Sequence, residues 1–246
     1  MINLQGDERV DDLQYKGLKI IQKIKGFCFG IDAVLLAGFV DAKCGDKIAD
    51  LGTGTAIIPI LIAGYTKAKY IVGLEIQKEI AEMATRSVEM NNLSDKIDIK
   101  NGDIKSAEAY LPKSTFDIVI SNPPYVKNGG GLLNDNDTKT ISRHEVLCTF
   151  SDVAVAASIL LRSGGSFYLI HRPERLVDIL CDLRKNMMEP KLIKFIHPNE
   201  GKAPNLVLIK AIKNGGPELK ILNPFYLYDN EGNYIGGFEK MRGGIF

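Results

Sequence analysis

The sequence predicts an α/β protein built on a Rossmann-like, mostly parallel, seven-stranded sheet, and three observations carry that expectation. Short β-branched runs alternate with longer segments of helical spacing through the middle of the chain. A glycine-bearing turn, Asp50 to Thr55, follows the first of these runs. The last two apolar runs are joined by HPNEGKAPN, with no room for a crossover helix, so they are expected to pair antiparallel near one edge.

The elements follow in order. Residues 16–30 read as a short hairpin, and Asp32 is placed to cap a helix running through Val40. Lys47–Leu51 is the first sheet strand and Ala56–Ala63 its helix; Tyr70–Glu75 is the next strand. Lys78–Met90 carries Ile80, Met83, Ala84 and Val88 at helical spacing. Ile97–Lys100 and Phe116–Ile120 are strands, Ser151–Leu161 is a helix stopped by Gly164-Gly165, and Ser166–Ile170 is a strand. Pro173 opens a helix to Met187, and Leu192–Ile196 and Leu206–Ile212 close the sheet. Single helices between strands imply parallel pairing with helices on both faces. The expected organisation is one domain over residues 1–246, with an N-terminal hairpin and helix to residue 46, a core over 47–213 and a tail from 214. Lys127–Thr140 is a long polar loop.

Composition narrows the class without touching the chemistry. A hydrophobic share of 45% and a charged share of 25% are ordinary for a soluble globular protein. No apolar run approaches the roughly 20 residues that span a bilayer, and the polar, acidic start is unlike a secretory signal. Cys28, Cys44, Cys148 and Cys181 are scattered with no metal-binding spacing, which suits a reducing cytoplasm and argues against zinc. With a net charge of +1, any nucleic-acid contact has to use a local basic patch.

Two motifs carry the chemistry. Asp50-Leu-Gly52-Thr53-Gly54 joins the first strand to its helix, at the sheet edge where open parallel sheets bind ligands. A pyrophosphate loop wants a third glycine or alanine where Ile57 stands, and an anion disfavours Asp50. An acidic mouth suits a cationic ligand such as S-adenosylmethionine. Glu75, followed by Ile76, is placed to accept from ribose hydroxyls. Asp103, followed by Ile104, reads either as acceptor for the adenine amine or as a helix cap.

The second motif, Ser121-Asn122-Pro123-Pro124-Tyr125, follows the strand FDIVI, and its prolines stiffen the corner. A planar amide-like nitrogen has a delocalised lone pair that points nowhere useful. Accepting both its hydrogens, through the Asn122 amide oxygen and the Pro123 carbonyl, would turn that lone pair toward a methyl donor. Tyr125 offers a ring to stack on the acceptor. The leaving group is neutral, so neither a metal nor a strong base is needed, and His144, His171 and His197 are left structural or surface roles.

These motifs resemble those of seven-stranded S-adenosylmethionine-dependent amino-methyltransferases. More narrowly, the chain resembles the bacterial tRNA1(Val) adenine-37 N6-methyltransferase family over almost its whole length. The resemblance includes Gly26–Leu36, Ser142–Glu145, His171–Arg175 and Gly201–Leu206. It implies that Asp50, Gly52, Thr53, Gly54, Glu75, Ile76, Asp103 and Ile104 hold the cofactor, with Asn122 beside it. It also implies that Phe29 to Asp32 closes over the cofactor's methionine end and that Asn122, Pro123, Pro124 and Tyr125 are catalytic. Gly30 stands where the family often has serine, so no hydrogen-bonding role is expected there. The expected partner is tRNA, in the cytoplasm, with no membrane.

Other readings stay open at this point. A methyltransferase of the release-factor glutamine amide shares the corner but carries a helical N-terminal domain, where this chain has about 45 residues before the glycine turn. A guanine-N2 RNA methyltransferase uses the same loop chemistry, and a non-catalytic RNA-binding protein could retain the fold. Lys16, Lys19, Lys23 and Lys25 suit either RNA or a solvated face, and Arg143, Arg172, Arg175 and Lys202 are further candidates for RNA contact.

Overall fold

The computed structural model describes residues 4–24, 30–123 and 148–235. Eleven strands are labelled in chain order: β1 (Glu8–Asp12), β2 (Lys19–Lys23), β3 (Lys47–Leu51), β4 (Tyr70–Glu75), β5 (Ile97–Asn101), β6 (Phe116–Ser121), β7 (Leu161–His171), β8 (Met188–His197), β9 (Leu206–Lys213), β10 (Lys220–Ile221) and β11 (Phe225–Tyr226). The helices are α1 (Ile31–Phe39), α2 (Ile57–Tyr65), α3 (Lys78–Met90), α4 (Phe150–Leu160) and α5 (Leu176–Lys185).

The main sheet runs β10-β8-β9-β7-β6-β3-β4-β5, with β11 also on the outer edge of β8. From β7 through β6, β3 and β4 to β5 every pairing is parallel, and β9 is reversed between β7 and β8. The seven expected strands are all present; β10 and β11 extend the sheet to nine. Alternate residues of each strand enter opposite cores, as the pleat requires. Ile48, Ile71, Ile118 and Tyr168 meet α1, α2 and α3, whereas Ala49, Val72, Val119 and Phe167 meet α4 and α5.

Several boundaries differ from expectation. The hairpin is β1–β2, residues 8–23, rather than 16–30. It docks on α3: the Ile21 amide donates to the Ser87 hydroxyl at 3.0 Å, and Asn91 brackets the Lys19 backbone. Arg86 grips Glu8 through both nitrogens at 2.7 and 2.6 Å, which holds the Glu8 carboxyl below its usual range. Gly30 rather than Asp32 is the N-cap of α1, and Asp32 lies in its first turn. Gly164-Gly165 is not a stop, because β7 runs through it from Leu161. A short 3-10 turn over Pro173–Arg175 precedes α5.

Among the described residues, no helix is long and apolar enough to cross a membrane.

Candidate active site

Strand register brings the two motifs together. Leu51 of β3 pairs with Ser121 of β6, so Gly52 and Asn122 leave the sheet side by side at its carboxyl edge. Leu51 also pairs with Leu74, and Glu75 with Asn101, so the ends of β4 and β5 complete the same edge. The Ser121 hydroxyl donates to the Leu51 carbonyl at 2.9 Å and ties the two exits together. Asn122 is half-buried and Pro123 buried.

Gly52, Gly54 and Ala56 all adopt positive φ, at 75°, 56° and 69°. Gly52 and Gly54 meet this demand without strain because they lack Cβ. The loop's amides turn inward: Gly52 and Thr53 donate to the Leu74 carbonyl, and Gly54 donates to Glu75 Oε2 at 3.0 Å. Those N–H groups are therefore not a phosphate cradle of the kind that opens a dinucleotide-binding helix. Glu75 Oε1 accepts from the Gln77 amide, and the Asn101 side chain donates to the carbonyls of Glu75 and Ile76. The end of β4 is thus rigid, and Ile76 projects from it 41% exposed.

Asp50 is almost fully buried at the end of β3. Its Oδ2 accepts from the Thr53 hydroxyl at 2.7 Å, while Oδ1 is buried without a partner among the described residues. Burial raises its pKa to about 7, the Thr53 hydroxyl opposes that rise, and the Glu75 carboxylate adds to it. A carboxylate in this position wants a cation or a donor at Oδ1.

Asp103 caps the 3-10 helix Ile104–Ala109 by accepting from the Lys105 amide at 2.9 Å. The capping reading is therefore realised through one oxygen, Oδ1. Ile104 lies against the glycine turn, its Cδ1 being 3.7 Å from where a Cβ on Gly52 would stand. Cys148 lies near Asp103 and Asp152. Burial and the charges of Asp152 and Asp103 push the Cys148 thiol up to about 11.

Asp32 accepts from the Ala33 amide at 2.9 Å, and a Cβ on Gly30 would stand 2.6 Å from Asp32 Oδ1, so glycine leaves that carboxylate room. The Tyr65 hydroxyl, at the end of α2, lies 2.9 and 2.7 Å from the carbonyls of Ala37 and Val40 at the end of α1. The two helices finish together, so α1, like α2, enters from the carboxyl edge. Phe29, Pro124, Tyr125, Lys25, Arg143 and His144 lie outside the described residues.

His171 is buried, and its Nδ1 accepts from the Arg172 amide at 2.8 Å; burial lowers its pKa, and Phe150 packs against its ring. Lys16 donates to the Gly64 carbonyl and Lys23 pairs with Glu79, so two of the hairpin lysines are engaged within the protein. Among the described residues, no group of three His, Cys, Asp or Glu side chains could hold a metal.

The sequence did not single out Gly73. A Cβ there would fall 2.7–2.9 Å from three Thr53 side-chain atoms, so this glycine keeps the Thr53 hydroxyl on Asp50. Its only signal in the sequence is a glycine inside a strand, which marks a close approach. Gly73→Ala is expected to destabilise the fold by about 1–3 kcal/mol. It should also weaken cofactor binding roughly 10-fold, the scale of one hydrogen bond to a charged group. A thermal melt and a calorimetric titration read the two effects, and an unchanged dissociation constant would show that Thr53 does not set Asp50.

Among solved structures, an Agrobacterium tumefaciens protein described as a predicted O-methyltransferase is 27% identical at a TM-score of 0.70, over 87% of this chain and 96% of that one. Geranyl diphosphate C-methyltransferase from Streptomyces coelicolor A3(2), solved with S-adenosyl-L-homocysteine, shares the fold at 13% identity and a TM-score of 0.55, over 74% of this chain and 76% of its own. The fold and the edge define the class: a methyltransferase that uses S-adenosylmethionine. The unpartnered Asp50 oxygen, the acidic strand end at Glu75 and the apolar Ile76 and Ile104 fit that cationic nucleoside.

Residues 30–178 match the methyltransferase small domain family. A Porphyromonas gingivalis protein named tRNA1(Val) (adenine(37)-N6)-methyltransferase is 31% identical over 69% of this chain and 68% of its own. A Pedobacter heparinus protein of the same name is 25% identical over 95% and 97%. The chain belongs to the methyltransferase small domain family and, within it, to the family of the tRNA1(Val) (adenine(37)-N6)-methyltransferases.

Proposed function

We propose that this enzyme methylates the exocyclic N6 of an adenine in tRNA, with adenine 37 of tRNA1(Val), named for its relatives, as the acceptor. The observation that carries the reading is the register of Leu51 with Ser121, which sets the Asn122 corner beside the glycine turn. When bound, S-adenosylmethionine supplies an electrophilic methyl group on a sulfonium. Asp50 takes the cofactor's cationic end through its unpartnered oxygen, and the turn Gly52–Gly54 lets the backbone approach it. Glu75 accepts from the ribose hydroxyls while its amide contacts keep it still, and Ile76 and Ile104 flank the adenine. Asp103 caps the 3-10 helix through Oδ1, and in this reading its second oxygen receives the adenine amine. Phe29 and Asp32 close over the methionine end.

At the acceptor, the Asn122 amide oxygen and the Pro123 carbonyl take the two N–H donors and turn the lone pair toward the methyl carbon. Pro124 stiffens the corner, and Tyr125 stacks on the base. Positioning of this kind supplies the rate without a strong base, because the proton is lost only as the amine becomes cationic. The substrate places the enzyme's work in the cytoplasm.

The test uses radiolabelled methyl donor with tRNA and protein from cells lacking this gene product. The expected result is label in tRNA, recovered after digestion as N6-methyladenosine. Label in protein, or in guanine, would overturn the acceptor assignment. Cofactor at 100 times its dissociation constant adds about 2.7 kcal/mol, which should raise the melting temperature by roughly 5–10 °C at this chain length. No shift at millimolar cofactor would remove the glycine-turn assignment.

A further inference from the structure

Tyr228 and Tyr234 are the two exposed tyrosines of the tail, 42% and 49% accessible, and their rings meet edge to face at 5.7 Å. A backbone bridge joins the two residues, and the turn between them is braced by Asp229, which accepts from the Asn233 side chain and from the Glu231 and Asn233 amides. Leu227, the residue before Tyr228, is buried in the core, and the Tyr228 amide donates to the Pro198 carbonyl. The rings are therefore held on a rigid turn although they contribute little to the core.

Their place in the fold is informative. β11 runs parallel to β8, and β8 has the direction of β6, so the chain leaves β11 past the same carboxyl edge at which Asn122 lies. From β6 to β11 there are four strand spacings, roughly 19 Å. Between them on that edge stand Arg172, at the end of β7, and Lys202, in the β8–β9 connection. Glu174, Glu200, Asp229 and Glu231 share this stretch, so its charge is mixed rather than uniformly basic.

We infer that the Tyr228–Tyr234 pair is a stacking platform for an unpaired nucleobase of the RNA substrate, several nucleotides from the acceptor. At about 3.4 Å per stacked nucleotide, the span corresponds to roughly six nucleotides. The platform takes a base by its face and reads no hydrogen-bond pattern, which gives a preference for single-stranded or loop RNA over duplex. The inference rests on the RNA reading of the active site.

The full chain is tested with fluorescently labelled tRNA lacking the modification, by anisotropy and by steady-state kinetics. The double variant Tyr228→Ala/Tyr234→Ala is expected to raise the tRNA dissociation constant and KM by about 10-fold or more, the scale of one base–aromatic stack. S-adenosylmethionine affinity should stay unchanged. Because stacking releases no counterions, the slope of log affinity against log salt should also be unchanged. The Phe/Phe variant keeps flat rings and should bind within twofold of the wild type. Tyr234→Leu preserves apolar packing without a flat ring and should show a loss of its own, which covers the case in which the alanine pair disturbs the turn. Wild-type tRNA affinity in Tyr234→Leu and the alanine pair, with RNA still methylated, overturns this inference alone. Wild-type enzyme that labels protein and not RNA overturns it together with the proposed acceptor.

Discussion

Asn122→Ala is expected to cut turnover by on the order of 100-fold or more while S-adenosylmethionine binds as before, the scale of losing one hydrogen bond made in the transition state. The side chain is half-buried directly after β6, and the anchor that fixes the corner belongs to Ser121, whose hydroxyl holds the Leu51 carbonyl. Truncating Asn122 therefore removes the acceptor proposed for the amine and spares the Ser121 anchor between β3 and β6. Single-turnover methylation of unmodified tRNA, beside a calorimetric titration of the cofactor, separates the two quantities. Wild-type turnover would remove Asn122 from the chemistry, and lost cofactor affinity would make it a cofactor ligand instead.

Asp50 gives the second large effect, and its sign changes with the ligand. In the free protein its pKa of about 7 lies above the ordinary 3.8, so the folded chain holds a proton that the unfolded chain releases. Its contribution to stability is fully present below pH 4 and is lost as pH rises toward 7. Asp50→Asn is accordingly expected to raise the melting temperature of the cofactor-free protein at pH 8, by at most a few kcal/mol in stability. Cofactor binding runs the other way, because a cation beside Oδ1 favours the ionised carboxylate. The wild-type dissociation constant should fall by about tenfold for each unit that pH rises toward 7 and level off above it, with a proton released on binding below pH 7. Asp50→Asn should flatten that profile and bind weakly at every pH. Titrations in two buffers of different ionisation enthalpy check the proton release; a flat wild-type profile would mean that the cofactor's cation lies elsewhere.

The sheet was legible because buried parallel strands are written as β-branched runs. β3 ends at Leu51, β4 at Glu75 and α3 at Met90, as the pattern indicates. The hairpin was harder to place. Its first strand reads ERVDD, and the half-buried Glu8 is held by Arg86, in a helix far along the chain. Likewise Gly164-Gly165 looks like punctuation, but a Cβ on Gly165 would sit 3.1 Å from the Phe116 carbonyl, and the β6–β7 pairing shifts register beside it. The two motifs announced the site, whereas the Gly73–Thr53–Asp50 stack did not, since it is a contact between neighbouring strands.

The short strands β10 and β11 have a consequence for the behaviour of the molecule in a crowded solution. β8 is ten residues long and carries Ile193 and Ile196, and its outer rim would otherwise offer a bare ladder of amides and carbonyls to any passing sheet. Two-residue patches at Lys220–Ile221 and Phe225–Tyr226 occupy that rim at intervals, too short to act as templates themselves. At the opposite rim, β5 is brief and bears Asp98 and Lys100, charges that discourage a partner. The tail thus doubles as a guard against sheet-to-sheet aggregation.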